Sequence, residues 1–239
     1  GVIDHMNNEF GWRASRAVQD GGGINTTLAE VKNRADLIVL AGTDAVSAQP
    51  RFFERCVWVK ESMFDLNPAS RRIVYLGAGL DTAPGHSPDG RAPDVFEFER
   101  SRMPEALSVL NALLVQQPVA GEAPLGIALA RWQELADALR AAKYGVIVWA
   151  APAFEVSQVD LNVGAIVGIV RKLNTTTRCN SLPLAGNDGD LSMGAVHIWQ
   201  TGFPMRTSHA SGTPQFDPVH NGIDRLLATG EADALVWIS

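Results

Sequence analysis

The chain has 239 residues, 46% hydrophobic and 19% charged, the balance of an ordinary globular protein with one large or two small domains. A formal net charge of −6 gives no basic footprint for nucleic acid, and no apolar run approaches the roughly 20 residues of a membrane span. Only Cys56 and Cys179 occur, without a C-x-x-C pair; this excludes a disulfide framework or cysteine-ligated zinc or iron–sulfur centre within the chain and points to a reducing, cytoplasmic compartment.

The opening GVIDHMNNEF lacks the basic-then-apolar order of a secretory signal. The missing initiator Met and the final ALVWIS, which reads as a core strand, suggest a fragment, although a tag remnant accounts equally well for Gly1. A helix is predicted around residues 12–19, ended by Gly21-Gly22-Gly23. Thr27, with Glu30 three positions on, reads as the capping box of a second helix. The run 36–42, DLIVLAG, and the run 71–77, RRIVYLG, read as buried parallel strands, with a helix carrying Phe52, Phe53, Cys56 and Val57 between them. A Pro-rich loop precedes a third strand at 95–98. Helices are then expected over 103–115, where Pro104 fits the first turn, and over 127–142.

A fourth buried strand is predicted at 144–151 and a mostly apolar helix at 156–173. Further strands are expected at 196–200 and 234–238, on either side of a helix near 223–227. Strands alternating with helices imply an α/β, doubly wound, mainly parallel sheet covered on both faces.

Residues 180–206, NSLPLAGNDGDLSMGAVHIWQTGFPMR, concentrate turn chemistry: four glycines and two prolines among Asn and Asp residues. A turn-rich stretch of this length is functional or interfacial as often as it is an ordered structural loop. The segment RRIVYLGAGLDTA, followed by PDVFEFER, resembles the strand–Gly-x-Gly motif of S-adenosylmethionine-dependent methyltransferases, with Glu97 or Glu99 where a ribose would be held. A lone G-x-G is weak, the residues after it are Pro/Gly-rich rather than helical, and Ala83 stands where that family usually has Arg.

A second resemblance covers more of the chain. The string N-x-L-P-L-A-G-N-D-G, then G-A, then W-Q-T-G-F-P-x-R, resembles the B subunit of formylmethanofuran dehydrogenase, of the molybdopterin oxidoreductase superfamily. Residues 27–50, Asp81-Thr82-Ala83, 103–114 and 144–154 resemble further blocks of that superfamily in the same order. The resemblance implies Rossmann-type subdomains, here 27–125 and a second one formed by 1–26 with 126–239. It also implies a pterin guanine dinucleotide cleft near Gly42, Asp44, Asp81, Gly186, Asn187 and Gly194.

The chain departs from that pattern where the cofactor would sit. The superfamily's G-x-N-P has become Gly42-Thr43-Asp44-Ala45, which sets a carboxylate beside the phosphate position. The D-x-R pattern has lost its arginine, and the G-x-G loop has become Ala150-Ala151-Pro152. After Asp4-His5, Phe10 lies nearest the metal-ligating cysteine, and a phenyl ring cannot ligate tungsten or molybdenum. Glu9 beside it is either a relic or a new polar contact. The five histidines show no metal spacing, and Cys56 suits a core position.

The expectation is therefore a non-redox scaffold subunit of a formyltransferase/hydrolase complex in one-carbon metabolism, with the ancestral molybdopterin or tungstopterin lost, no metal, and no catalytic residue assigned. Other subunits of the complex are its expected partners, met through Trp199, Phe203 and Arg206. A packed position within the sheet is the competing reading for Trp199. The alternatives are a redox-active formylmethanofuran dehydrogenase subunit and a methyltransferase.

Overall fold

The computed structural model describes residues 1–5, 8–64, 67–184 and 190–238, without the side chains of 190 and 191. In chain order the elements are β1 (Val2–Ile3), α1 (Asn8–Gly21), α2 (Leu28–Arg34), β2 (Leu37–Ala41), α3 (Ala45–Ala48), β3 (Arg72–Leu76), β4 (Asp94–Phe96), α4 (Met103–Leu114), α5 (Leu129–Ala141), β5 (Gly145–Trp149), α6 (Val159–Leu173), β6 (Cys179–Pro183), α7 (Asp190–Thr201), β7 (Thr207–Ser208), β8 (Gln215–Phe216) and α8 (Ile223–Ala228). They form two compact units: residues 14–184, and residues 1–13 with 185–239.

The larger unit is built on a five-stranded parallel sheet in the order β4-β3-β2-β5-β6. The strand LIVLA of β2 is buried along its whole length, as the central position in a sheet covered on both sides requires. Side chains alternate between faces. Ile38, Leu40, Ile73, Tyr75, Val146 and Val148 pack with Val31 of α2, Ala45 of α3 and a π-helical turn, Phe53–Val57. Leu37, Val39, Val74 and Ile147 point to the opposite face, where α4 packs against both α5 and α6.

Two polar devices set the register. The Asp36 carboxylate accepts the amides of Lys143 at 2.7 Å and Tyr144 at 2.9 Å, holding the start of β5 beside β2. Thr27 caps α2 by accepting the Glu30 amide at 3.2 Å, whereas the Glu30 carboxylate pairs with Arg34 instead of closing the box. At the outer edge, Ser181 of β6 makes a parallel bridge to Asn25, so residues 24–26 cover the edge strand.

Three expectations need correction, and one strand was not expected. Residues 196–200 lie in the helix α7 rather than in a strand: Val-His-Ile-Trp-Gln alternates over five residues, but Met193, Val196 and Trp199 recur at helical spacing. Residues 234–238 pair with no described strand, and Val236 and Ile238 are 84% and 91% exposed. Strand β6 was not predicted, because its sequence CNSLP carries two polar residues. The division into 27–125 and the remainder separates β5 and β6 from β2–β4, although all five share one sheet.

The smaller unit holds the antiparallel sheet β1-β7-β8 together with α7 and α8. Its β1 pairs with β7 through Val2 opposite Ser208 and Ile3 opposite Thr207.

Candidate functional site

The sheet winds outward in both directions from β2 and β5, so the crevice at their C-terminal ends is the topological switch point where such sheets hold ligands. Gly42, directly after β2, adopts φ +62°. A Cβ there would meet Met103 Cε at 3.0 Å and Phe154 Cε1 at 3.5 Å. Met103 and Phe154 are both buried, and the Phe154 ring stacks on Trp149 at 6.5 Å. Side chains of the chain itself fill the space above Gly42.

The backbone donors of this crevice are also used internally. Thr43 Oγ1 accepts the Ala150 amide at 2.9 Å and donates to the Ala41 carbonyl at 3.0 Å. Pro152, in the one-turn helix after Ala150, has no N–H to offer. The Asp44 carboxylate accepts the amides of Val46 at 3.1 Å and Ser47 at 3.4 Å and takes the Ser47 hydroxyl at 2.8 Å. These residues do not fit a dinucleotide phosphate: the amides of Val46, Ser47 and Ala150 are taken, and Asp44 carries a negative charge.

Asp81 lies after β3, the strand beside β2, and its Oδ1 accepts the Ala83 amide at 3.0 Å in an Asx turn. Gly77 and Gly79 take φ +112° and +70°, and the chain continues into a single 3₁₀ turn, Ala83–Gly85, before β4. The methyltransferase-like motif therefore lacks the following helix whose N-terminus would hold a ligand. Gly186 and Asn187 fall outside the described residues.

The remaining candidates belong to the smaller unit. Gly194 lies within α7, with open space beside it. Trp199 is 80% exposed, so the reading that packs it within the sheet does not hold, and Phe203 stacks on Phe216 with ring centres 6.2 Å apart. Arg206 is unlike both. It is only 4% exposed, with φ +66°. Its Nη1 lies 2.7 Å from Glu9 Oε2, its Nε lies 3.3 Å from Asp4 Oδ2, and it also donates to the Pro218 carbonyl. Its own amide donates to Ile3, and its carbonyl accepts from Asp217 and from the Asn221 side chain.

Glu9, left undecided by its sequence, is thereby a polar contact. It also accepts Trp12 Nε1 at 3.2 Å and Arg13 Nε at 2.8 Å. Burial raises its pKa, but the bonds from Trp12, Arg13 and Arg206 outweigh burial and hold it below the usual glutamate value. Asp4, beside it, accepts the His5 amide, the Asn8 side chain and the Ile223 amide. The ring nitrogen Nδ1 of His197 bonds the Phe203 carbonyl at 2.8 Å, fixing the end of α7. Among the described residues no cluster of three or more His, Cys, Asp or Glu is arranged to hold a metal.

No family model matches the chain. In an alignment of 240 positions that spans all of this chain, it is 24% identical to the B subunit of the tungsten-containing formylmethanofuran dehydrogenase 2 of Methanocaldococcus jannaschii, covering 54% of that protein. It is 27% identical over 223 residues to the B subunit of the formyltransferase/hydrolase complex of Methylorubrum extorquens, covering 93% of this chain and 56% of that protein. A chain in the crystal structure of that complex with methylofuran superposes with a TM-score of 0.78 and 26% identity over 97% of this chain and 59% of the other. The chain spans a little over half the length of the proteins it matches. It is thus a relative of the B subunits of formylmethanofuran dehydrogenase and of the formyltransferase/hydrolase complex, as its sequence motifs implied.

Proposed function

We propose that the chain acts as a non-redox, B-subunit-like component of a formyltransferase/hydrolase complex, assembling with that complex's other subunits in the cytoplasm. Its relatives include both a tungsten dehydrogenase and the formyltransferase/hydrolase complex, so the choice between them rests on the crevice. The observation that carries the choice is the packing of Met103 and Phe154 over Gly42, with Asp44 set where a phosphate would lie. A pterin guanine dinucleotide needs that space and those amides free. The donor set points the same way: Phe10 stands nearest the cysteine position, and both thiols of the chain are buried in the larger unit.

The loss of this ligand site leaves a scaffold role, in which the chain positions neighbouring subunits without taking part in electron transfer. Trp199 and Phe203 are the side chains that suit contact with a partner, being aromatic and exposed. Arg206 supports them from within by holding its own unit together.

Tagged protein incubated with lysate of a methylotroph should recover the A, C and D subunits of the complex. Elemental analysis of the recovered assembly should find no stoichiometric tungsten or molybdenum in this chain. Near-stoichiometric tungsten or molybdenum retained by the purified chain would overturn the non-redox reading, and failure to recover A, C and D would overturn the assembly.

A further inference from the structure

Among the described residues of the smaller unit Met205 is the single buried hydrophobic, whereas Asn8, His197, Arg206 and Thr207 are buried polar groups. A unit this small with so little apolar core normally needs a staple. It holds neither of the chain's two cysteines, so a disulfide cannot supply one. Three of the four buried polar groups are spent: Asn8 on Asp4, Arg206 on Glu9, and Thr207 on the Pro204 carbonyl. His197 is spent only in part. Its Nδ1 bonds the Phe203 carbonyl at 2.8 Å, while its Nε2 is buried and meets no hydrogen-bond partner among the described residues. The Nε2 of His209 is buried and unpartnered in the same way. The two rings lie 6.0 Å apart, centre to centre, with their planes at 81°.

We infer that His197 and His209 form a binding site for a first-row transition cation of the kind that suits imidazole nitrogen, such as zinc, nickel or copper, and that this cation staples α7 to the segment after β7. The chemistry of His197 is set by its neighbour. A carbonyl oxygen can only accept, so Nδ1 carries the hydrogen, and in the neutral ring Nε2 keeps the lone pair that a cation takes. The same carbonyl fixes the ring, as outer partners of metal-binding histidines do. His209 is held by its backbone: its amide donates to the Gly1 carbonyl at 2.8 Å, and its carbonyl accepts from the Gly212 amide at 3.3 Å. The spacing fits as well. A cation bonded to two imidazole nitrogens at about 2.0–2.1 Å keeps the ring centres about 5–6.5 Å apart, from a tetrahedral to a linear arrangement, and 6.0 Å lies in that span. No third His, Cys, Asp or Glu joins the pair among the described residues, so water completes the coordination from the side of the half-buried His209. The pair shares no residue with the crevice at Gly42, so its cation is independent of the proposed function.

Zinc titration of the chelator-stripped chain tests the site. The parent should bind one zinc saturably with a Kd of about 10 μM or below, and His197→Gln and His209→Gln should each weaken binding by about tenfold or more. His220→Gln removes an exposed histidine that pairs with Asp217 and should change nothing. No saturable binding in the parent would overturn the inference, as would binding that survives both variants or that is lost with His220. Hydrogen exchange reads the staple separately: zinc should slow the amides of α7 and of residues 207–212 several-fold and leave β2 and β5 unchanged. Binding without that local protection would overturn the staple. Should both glutamine variants fail to fold, spin-echo modulation of the copper(II)-loaded parent counts the coordinated imidazoles. Two support the pair, and one or none overturns it.

Discussion

Arg206 Nη1 donates to Glu9 Oε2 at 2.7 Å across 197 positions of sequence, and this bond joins the first helix to the strand-and-loop region that follows α7. The guanidinium also faces Asp4, whose second role is to accept the Ile223 amide at 3.0 Å. One cation thus ties β1, the start of α1 and the approach to α8. Gly222 packs so closely that a Cβ there would lie 3.2 Å from Arg206 Cζ. In a unit with almost no apolar core, these polar links set the fold.

Arg206→Met should therefore destabilise the smaller unit by about 3–5 kcal/mol, because it leaves Asp4 buried without its cation. Hydrogen exchange of residues 190–238 should accelerate while the amides of β2, β3 and β5 stay protected. Equal loss of protection in both regions would show that Arg206 acts on the whole chain. Glu9→Gln removes a partner that is about one-third exposed, and its cost should be nearer 1 kcal/mol.

The same pair gives a pH dependence with a defined sign. The Glu9 pKa is lower in the folded chain than in the unfolded one, so its contribution is complete at neutral pH. That contribution declines as the pH falls below the ordinary glutamate value and is gone once the depressed value is passed. Thermal melts between pH 7 and pH 3 should show a shallower acid limb in Glu9→Gln than in the parent protein. Parallel limbs would remove Glu9 from the acid response.

The parallel sheet was largely legible in the sequence because its central strands are short apolar runs bounded by Asp and Gly, a pattern with few alternatives. Strand β6 was not, since Asn180 and Ser181 lower its hydrophobicity; the buried Ser181 hydroxyl finds its partner in Asn25, 156 positions away. Helix α7 read as a strand because Val196, Ile198 and the residues between them alternate, and because its apolar stripe faces outward. The departures at Gly42–Ala45 and Ala150–Pro152 were visible as residue types. Their consequence was not: that Phe154 and Met103 come to lie over Gly42 depends on a long-range approach that spacing does not encode. The ion pairs of Arg206 were hidden for the same reason.

Arg71 is a buried cation that pairs with no carboxylate among the described residues. It donates to the carbonyls of Cys56, at 2.7 Å, and of Val57 and Lys32, closing the C-terminal ends of the π-helical turn and of α2. Burial pushes its pKa down to about 10 against the opposing influence of Cys56 and Asp36, so it remains charged at neutral pH. Arg71→Met should cost about 3 kcal/mol, since three carbonyls lose a charged donor at once. Chemical denaturation with an unchanged m-value would register this as a pure shift in midpoint.

Both thiols should be inert in the folded protein. Burial pushes the Cys179 thiol up to about 12 and raises Cys56 as well, the latter only partly offset by Lys32, Arg71 and Arg55. The thiolate is the reactive form, so labelling by iodoacetamide at pH 8 should be slower than for a free thiol by about a thousandfold or more. In denaturant both cysteines should react at the rate of a model peptide. Rapid modification of native Cys179 would mean that β6 and its covering segment, residues 24–26, open far below the global unfolding free energy.

Phe154 is the side chain on which the closed crevice can be tested without disturbing the sheet hydrogen bonds. Phe154→Ala should lower stability by about 3–5 kcal/mol through loss of its packing on Trp149 and over Gly42. Gly42→Ala attacks the same place from below. It forces a non-glycine residue to φ +62° and presses on Met103, a flexible side chain that can yield, so its cost should be smaller, about 1–2 kcal/mol. Enlarging the crevice should not restore nucleotide binding, because the Ala150 amide remains bonded to Thr43 and the Asp44 carboxylate still occupies the first amides of α3. Calorimetry of Phe154→Ala with GDP should show no saturable heat at millimolar ligand. Adding Asp44→Asn frees the position of its charge, and binding that appears only in this double variant would assign the closure to electrostatics as well as to packing. Binding in Phe154→Ala alone would mean that one phenyl ring separates this crevice from a working dinucleotide site.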